Sequence, residues 1–452
     1  MAPREPMPAR GAVEAYFHDL TATLDDLIVA GETYLARFSA EASDFVRLNR
    51  GRVRQPGSVV QRFLDVELVR GTRHATQRLS LSGRPEADRA LLTASIEALR
   101  TALADLQDDP HLLYSTEVRS SHEVRGGPLP PAETVIETVL AAADGVDLVG
   151  IYAGGPVYRG FANSLGQRNW HEVTSFSLQW SLYHRADKAV KTGFSGFEWN
   201  EAEFAAKMAG ARERLALLAQ PSRTLTPGNY RAYLTPSAME EIAAMLCWGG
   251  FSGRAQQTKQ SCLFRLRDGA ATLDPSIGFS EDTAHGMAPS FQDEGFTRPA
   301  SVPLVVEGKM ASSLVSPRTA REFQLSANGA NGAESPESLD MAAGKLPTAN
   351  VLAALDTGIY VGNLWYLNFS DRPACRLTGM TRFASFWVEK GKIIAPVDVM
   401  RFDDSVFRLF GEQLVALTAE RELVASSDTY RARSVGSMRL PGAVVRDMAF
   451  TL

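Results

Sequence analysis

Seven histidines are the first residues to test for chemistry: His18, His74, His111, His122, His171, His184 and His285. Two of them precede a glutamate. His171-Glu172 would open a zinc-binding helix if a second imidazole followed one turn later, so that both rings met one ion. Positions 175 and 176 are Ser175 and Phe176. The segment also alternates with period two, which sends neighbouring side chains to opposite faces. His171-Glu172 therefore reads as a surface dipeptide. His122-Glu123 fails the same test, with Gly126 and Gly127 where the second ring would stand. A serine nucleophile elbow needs G-x-S-x-G. Gly193-Phe194-Ser195-Gly196-Phe197 and Gly250-Phe251-Ser252-Gly253-Arg254 both lack the closing glycine. Neither a Walker A loop nor G-x-G-x-x-G occurs. The three cysteines, Cys247, Cys262 and Cys375, form no CxxC, which fits a reducing compartment and no disulfide framework.

Any site must be carried by a chain of 452 residues, 45% hydrophobic and 22% charged, which is ample for two large domains. A mostly disordered chain, a collagen-like chain and a disulfide-stapled miniprotein are excluded. Lys plus Arg is 47 and Asp plus Glu is 52, so the formal charge is 47 − 52 = −5. No global basic excess awaits a phosphate backbone, and no nucleic-acid partner is expected. The densest basic run, Arg47, Arg50, Arg52 and Arg54, reads as a solvated turn between strands. Residues 1–10 are rich in Pro and Arg, are expected to be a disordered tail, and lack the apolar region of a secretory signal. No apolar run approaches 18 residues, so no membrane helix is expected.

Periodicity predicts an α+β protein. A helical pattern runs from Gly11 to about Ala40 through Tyr16, Leu20, Leu24, Leu27 and Leu35. Three antiparallel strands follow over Ser43 to Ser80, with Gly51 and Gly71 at the turns. Helices are predicted at Pro85–Leu106 and Pro131–Ala143. A strand pair, Asp147–Ala153 and Val157–Asn163, is expected around a Gly154-Gly155-Pro156 turn. Residues 173–183 alternate clearly: Phe176, Leu178, Trp180 and Leu182 face one way, Ser175, Ser177, Gln179 and Ser181 the other. Asn200 with Glu203 three residues on predicts a capped helix. The Pro/Ser/Thr-rich stretch 220–228 marks a boundary between an N-terminal α/β domain with small antiparallel sheets, residues 11–222, and a C-terminal, mostly antiparallel β domain, residues 223–452. The latter holds one helix, Pro236–Leu246, and strands at Gly358–Leu367, Arg376–Glu389, Lys392–Val399, Gln413–Thr418 and Ser434–Leu440. Residues 326–345 form its longest stretch of low hydrophobicity and are expected to be a functional or disordered loop.

Two stretches carry a more specific signal. The first is Ser290-Phe291-Gln292-Asp293-Glu294-Gly295, then Val305-Val306-Glu307-Gly308-Lys309 and Arg318-Thr319-Ala320. The second is Gly358-Ile359-Tyr360-Val361, Asp371-Arg372, Thr378-Gly379-Met380-Thr381-Arg382-Phe383 and Glu389-Lys390-Gly391-Lys392-Ile393-Ile394-Ala395-Pro396-Val397. In order and spacing they resemble the TldD/PmbA family, over most of residues 35–425; the N-terminal half matches more loosely. In that family TldD is a zinc metallopeptidase, and its partner TldE (PmbA) is a related subunit without metal.

The resemblance implies where a metal site would lie. TldD carries H-E-x-x-x-H on a helix just after the central boundary, and a further cysteine near its C-terminus. The corresponding hexapeptide here is Glu240-Glu241-Ile242-Ala243-Ala244-Met245, and the last cysteine is Cys375. Both histidine positions are thus Glu240 and Met245, and the chain looks like the TldE side. Glu240 and Glu241 alone are hard oxygen donors and a poor zinc set, so they read as an exposed helix face. The resemblance implies no catalytic residue and no cofactor in this chain, zinc on a TldD-like partner, a homo- or heterodimer, an extended peptide as substrate and a cytoplasmic setting. Gly379 and Gly391 would let a peptide backbone approach, or serve ordinary hairpin geometry. Arg382 and Arg401 would steady a carboxylate or a neighbouring subunit, or form structural ion pairs. Asp293 and Glu294 read as a structural turn rather than a catalytic dyad. Two other functions remain open: a self-sufficient hydrolase in a specialised peptide pathway, and a module that holds an extended peptide without cutting it.

Overall fold

The computed structural model describes residues 11–185 and 188–451. The expected tail, residues 1–10, lies outside the described residues. The first half opens with α1 (Ala12–Leu27) and the strands β1 (Thr33–Asn49), β2 (Arg52–Arg70) and β3 (Arg73–Ser80). α2 (Pro85–Leu103), β4 (Ser121–Arg125), α3 (Ala132–Ala142), β5 (Asp147–Asn163), β6 (Arg168–Arg185), β7 (Lys188–Gly196) and α4 (Glu201–Leu218) follow. The seven strands form one sheet in the order β3-β2-β1-β5-β6-β4, with β7 also paired to β6. The α+β class holds.

The alternation read from β6 sets the layering. Phe176, Leu178 and Trp180 are buried with Val46, Leu48 and Tyr152 beneath α3 and α4. Tyr34, Phe38, Leu64 and Val66 are buried beneath α1 and α2. Each such side chain contributes about 1.5–3 kcal/mol by leaving water. All four helices therefore cover one face, and the Ser177/Gln179 face is left for the second half. Asn200 caps α4 as expected, its side chain accepting the Glu203 amide at 3.0 Å.

Three local expectations are corrected. The first helix ends at Leu27, and Leu35 lies on β1. Gly31 turns the chain at φ 85°, and the β-favouring Thr33, Tyr34 and Phe38 then extend it. Gly154-Gly155-Pro156 is no turn but the middle of the continuous strand β5. Pairing between β1 and β5 lapses at Gly155 and Pro156, where proline has no N–H to give, and resumes in the same register at Val157. Gly155 sits at φ 137°, and a Cβ there would meet the Ala42 carbonyl at 2.2 Å. His171 is no surface residue. It is fully buried, with Nδ1 3.2 Å from Glu123 and Nε2 3.0 Å from the Met287 carbonyl. The parallel strand β4 covers β6 there and aligns Glu123 with His171, which a reading of either dipeptide alone does not reveal.

The second half contains β8 (Gly228–Leu234), α5 (Pro236–Cys247), β9 (Phe279–Glu281), β10 (Val302–Val306), β11 (Lys309–Met310), β12 (Ser338–Met341), β13 (Gly358–Asp371), β14 (Arg376–Glu389), β15 (Lys392–Pro396), β16 (Arg401–Ser405), β17 (Leu414–Ala425) and β18 (Ser437–Phe450), and, beyond the one helix expected, short helical turns such as Gly253–Gln257, Pro317–Phe323 and Val351–Leu355. β8 pairs with both β13 and β18, so β8, β13, β14, β16 and β18 close a ring. Residues 326–345 are anchored rather than loose. Ser338–Met341 is a strand, and buried Glu334 accepts hydrogen bonds from the Ser252 hydroxyl and from the Arg254 and Ser316 amides at 2.7–2.8 Å. Those bonds outweigh burial and hold its carboxyl below the usual range.

One buried arginine joins the two halves at the β5 lapse. Arg433, between β17 and β18, reaches into the first sheet at the β5 lapse. Its guanidinium donates to the Gly155 carbonyl at 2.8 Å, to the Ser43 hydroxyl at 3.4 Å and to the Ser175 carbonyl and hydroxyl at 2.9 Å. The carbonyl freed from the ladder is thus satisfied by the other half of the chain. Burial pulls this guanidinium down to about 10, and nearby Glu41 opposes that shift.

Candidate functional site

The polar face of β6 meets α5 across a narrow cleft. The proline at the first helical position and the Thr235 cap start α5, the Thr235 side chain accepting the Ala238 amide at 3.3 Å. Thr235 also donates to the Gly362 carbonyl at 2.7 Å, which fixes the helix on β13. Ala238, Met239, Ile242, Ala243 and Leu246 then fall on the core side. Helical spacing leaves Ser237, Glu240 and Glu241 together on the other side, where they line the cleft. Facing them are Ser177 and Gln179 of β6, Lys191, Gly193 and Ser195 of β7, Asn363 of β13 and Glu422 to Ala425 of β17. The enclosed space is about 30 Å³, room for one or two waters and no peptide.

Side chains stitch the walls together. The Ser195 hydroxyl donates to the Leu423 carbonyl at 2.7 Å and accepts the Ala425 amide at 3.0 Å. Lys207 of α4 pairs with Glu422 at 2.7 Å. Burial pushes Glu240 up to about 7; Lys191 opposes the shift, and Glu241 and Glu422 add to it. Burial likewise raises Glu241. These carboxylates therefore do not sit on an open helix face, as helix periodicity alone suggested. They face a shared, poorly solvated gap.

The residues at the motif position do not fit a zinc centre. Glu240 and Glu241 bring only carboxylate oxygens, and burial raises Glu240 to about 7, so a metal ion would compete with its proton. Met245 is turned away and packs against the second-half core. No histidine lines the cleft, and no group of three His, Cys, Asp or Glu among the described residues is arranged to hold an ion. Cys375 is buried at the β13–β14 turn, and its hydrogen bond with Cys262, together with burial, raises its thiol well above the usual range.

The other residues singled out by sequence are scattered around this cleft rather than gathered in it. Arg382 comes nearest: it pairs in register with Asn363, and its guanidinium stacks 4.5 Å over Trp365 and 5.2 Å over Phe383. Gly379 lies against β16, where a Cβ would stand 2.9 Å from both Leu367 and Phe402. Gly391 turns β14 into β15 at φ 74°, and its amide donates to the Asp356 carbonyl at 2.7 Å. Arg401 is exposed and donates to the Thr378 hydroxyl at 3.1 Å. Asp293 and Glu294 lie at the junction of the halves. The Asp293 carbonyl accepts from Arg37 at 2.7 Å and the Glu294 carbonyl accepts the Ser115 amide at 2.8 Å. Burial raises the Glu294 carboxyl, with the Asp293 charge adding to the rise. Sequence reasoning missed Lys191, Lys207, Glu422 and Arg433, and tested Ser195 only as a nucleophile whose elbow lacks its closing glycine. Of the wall facing Glu240 and Glu241, Ser177 and Gln179 were marked, by the alternation of β6.

Comparisons with known proteins agree with this architecture. Residues 227–452, half of the chain, match the family model described as the PmbA/TldA metallopeptidase C-terminal domain. No curated relative matches the chain significantly. Three solved structures share the fold over nearly the whole length. TldE from Thermococcus kodakarensis has a TM-score of 0.75 at 12% identity, covering 98% of this chain and 100% of that one. A candidate modulator of a DNA gyrase from Thermotoga maritima has 0.74 at 14%, covering 97% and 100%. A candidate modulator of DNA gyrase from Bacteroides thetaiotaomicron has 0.71 at 16%, covering 98% and 100%. Among the described residues no helix is long and apolar enough to cross a membrane. With the model matched across the whole second half, the chain belongs to the PmbA/TldD family.

Proposed function

We propose that the protein is a TldE-like subunit that pairs with a TldD-like zinc peptidase and helps it process small or unfolded peptides. One observation carries this reading: where the family's peptidases need imidazoles, α5 turns Glu240 and Glu241 into the cleft and packs a half-buried Met245 against the second-half core. A peptidase of this class uses zinc to polarise the scissile carbonyl and to acidify a bound water. Two carboxylates, one of them raised to about 7, supply neither function. This chain contributes a wall and the polar β6–β7 face, and the partner contributes the metal. The enclosed gap is too small for a peptide, so substrate access requires the walls to part or the partner to open them.

Cleavage assays test the proposal. The purified chain should cut no unfolded peptide. Adding a TldD-like partner should produce cleavage that EDTA abolishes. Cleavage by the chain alone, unaffected by EDTA, would support a self-sufficient hydrolase instead.

A further inference from the structure

We propose that an open groove across the first sheet binds the anionic stretch of an extended peptide. This rests on the peptide-handling function above and names its substrate class. Gln55, Arg47, Ile151, Gln179 and Gly193 align in register across β2, β1, β5, β6 and β7. Four steps between strands at about 4.8 Å span about 19 Å, the length of about six extended residues. The space above the first four of these residues is about 540 Å³; Asn49, Arg54 and Ser181 also line it, and it reaches β7 at Lys191. It ends at Lys191 and Gln179, which also line the α5 cleft. A peptide lying in it would lead directly to Glu240 and Glu241.

Its charge selects the occupant. Arg47, Arg54 and Lys191 enter the groove from three strands, and no carboxylate lines it. Several cations elsewhere are closely paired, as in Arg100 with Glu32 at 2.9 Å and Arg408 with Asp447 at 2.5 Å. Among the described residues these three cations form no ion pair. A chain of net charge −5 thus places Arg47 and Arg54 in this groove without an ion-pair partner, and Lys191 at its end, where it faces Glu240 and Glu241 across the α5 cleft. The basic run of the sequence divides accordingly. Arg50 and Gly51 make the β1–β2 turn at φ 53° and 62°, whereas Arg47 and Arg54 line the groove. The mix of arginines with the amides of Gln55, Gln179 and Asn49 suits a peptide bearing Asp or Glu side chains.

Fluorescence anisotropy on the isolated full-length chain tests this without the partner. The probes are labelled eight-residue peptides rich in Glu, Gln or Lys, and a single-stranded oligonucleotide. The Glu peptide should bind, weaken with salt, and lose at least tenfold in affinity in Arg47→Glu/Arg54→Glu. Arg50→Glu/Arg52→Glu, with the same change in net charge, should bind as the parent does. Arg47→Gln/Arg54→Gln should show an intermediate loss, and thermal melts verify that each variant folds. Equal binding of the Glu, Gln and Lys peptides, equal losses in the two charge-reversal pairs, or no binding would overturn the proposal. An oligonucleotide that binds more tightly than the Glu peptide and is lost in Arg47→Glu/Arg54→Glu would overturn it in favour of nucleic acid. Partner-dependent cleavage that persists beside any of these failures would leave the function proposed above standing.

Discussion

Replacing Glu240 with Gln tests the electrostatics of the cleft. Glutamine keeps the shape of the protonated acid and removes its ionisation. Burial raises Glu240 from an ordinary 4.5 to about 7. Below pH 4.5 the carboxyl is protonated in both folded and unfolded chains and contributes nothing. Between 4.5 and 7 the unfolded chain loses the proton first, so the glutamate protein loses stability as pH rises. Above 7 the whole cost remains. At about 1.36 kcal/mol per pH unit the ceiling is about 3 kcal/mol, and screening of a half-buried group brings the range to about 1–3 kcal/mol. If the second half of the chain unfolds as one unit, that is about 2–6 °C in Tm. Glu281, also raised to about 7 by burial, affects both proteins alike and cancels in the comparison. Melts of the two proteins from pH 4.5 to 8 read the difference. The glutamine protein should gain steadily on the parent up to about pH 7 and hold the gain above it. Parallel curves, or a glutamine protein weaker at pH 8, would refute a buried Glu240 facing Glu241 and Glu422.

Other perturbations have equally direct outcomes. Arg433→Ala leaves the Gly155 and Ser175 carbonyls without their charged donor and should cost about 3–5 kcal/mol. Limited proteolysis should then cut residues 426–436 faster than in the parent. Gly379→Val drives a side chain into Leu367 and Phe402 and should cost about 1–3 kcal/mol, read as a lower denaturant midpoint. Glu420→Ala removes an exposed acceptor of the Thr348 amide and hydroxyl and should shift the midpoint little.

Much of this fold is legible in the sequence because its signals are local. The Asn200 cap, the helix at Pro236 and the Ser177/Gln179 face each follow from a few neighbouring residues. The errors came where distant chain overrides local pattern. Gly-Gly-Pro reads as a turn, yet it is a lapse in a ladder that receives Arg433 from 278 residues away. His171 reads as surface until a parallel strand and the Met287 carbonyl enclose it. Leu35 keeps helical spacing by coincidence, and only Gly31 and the β-favouring residues after it betray the strand. The cleft itself was half visible. Resemblance pointed to Glu240 and Glu241, but their opposing wall, Lys191 and Ser195 of β7 and Glu422 of β17, has no shared motif because two strands far apart in sequence build it.

Native mass spectrometry of the isolated chain, titrated with zinc, addresses the central claim most directly. The account predicts no stoichiometric ion on this polypeptide, and one zinc per complex, carried by the partner, once a TldD-like subunit is added. One zinc per isolated chain, lost in Glu240→Gln/Glu241→Gln, would contradict it.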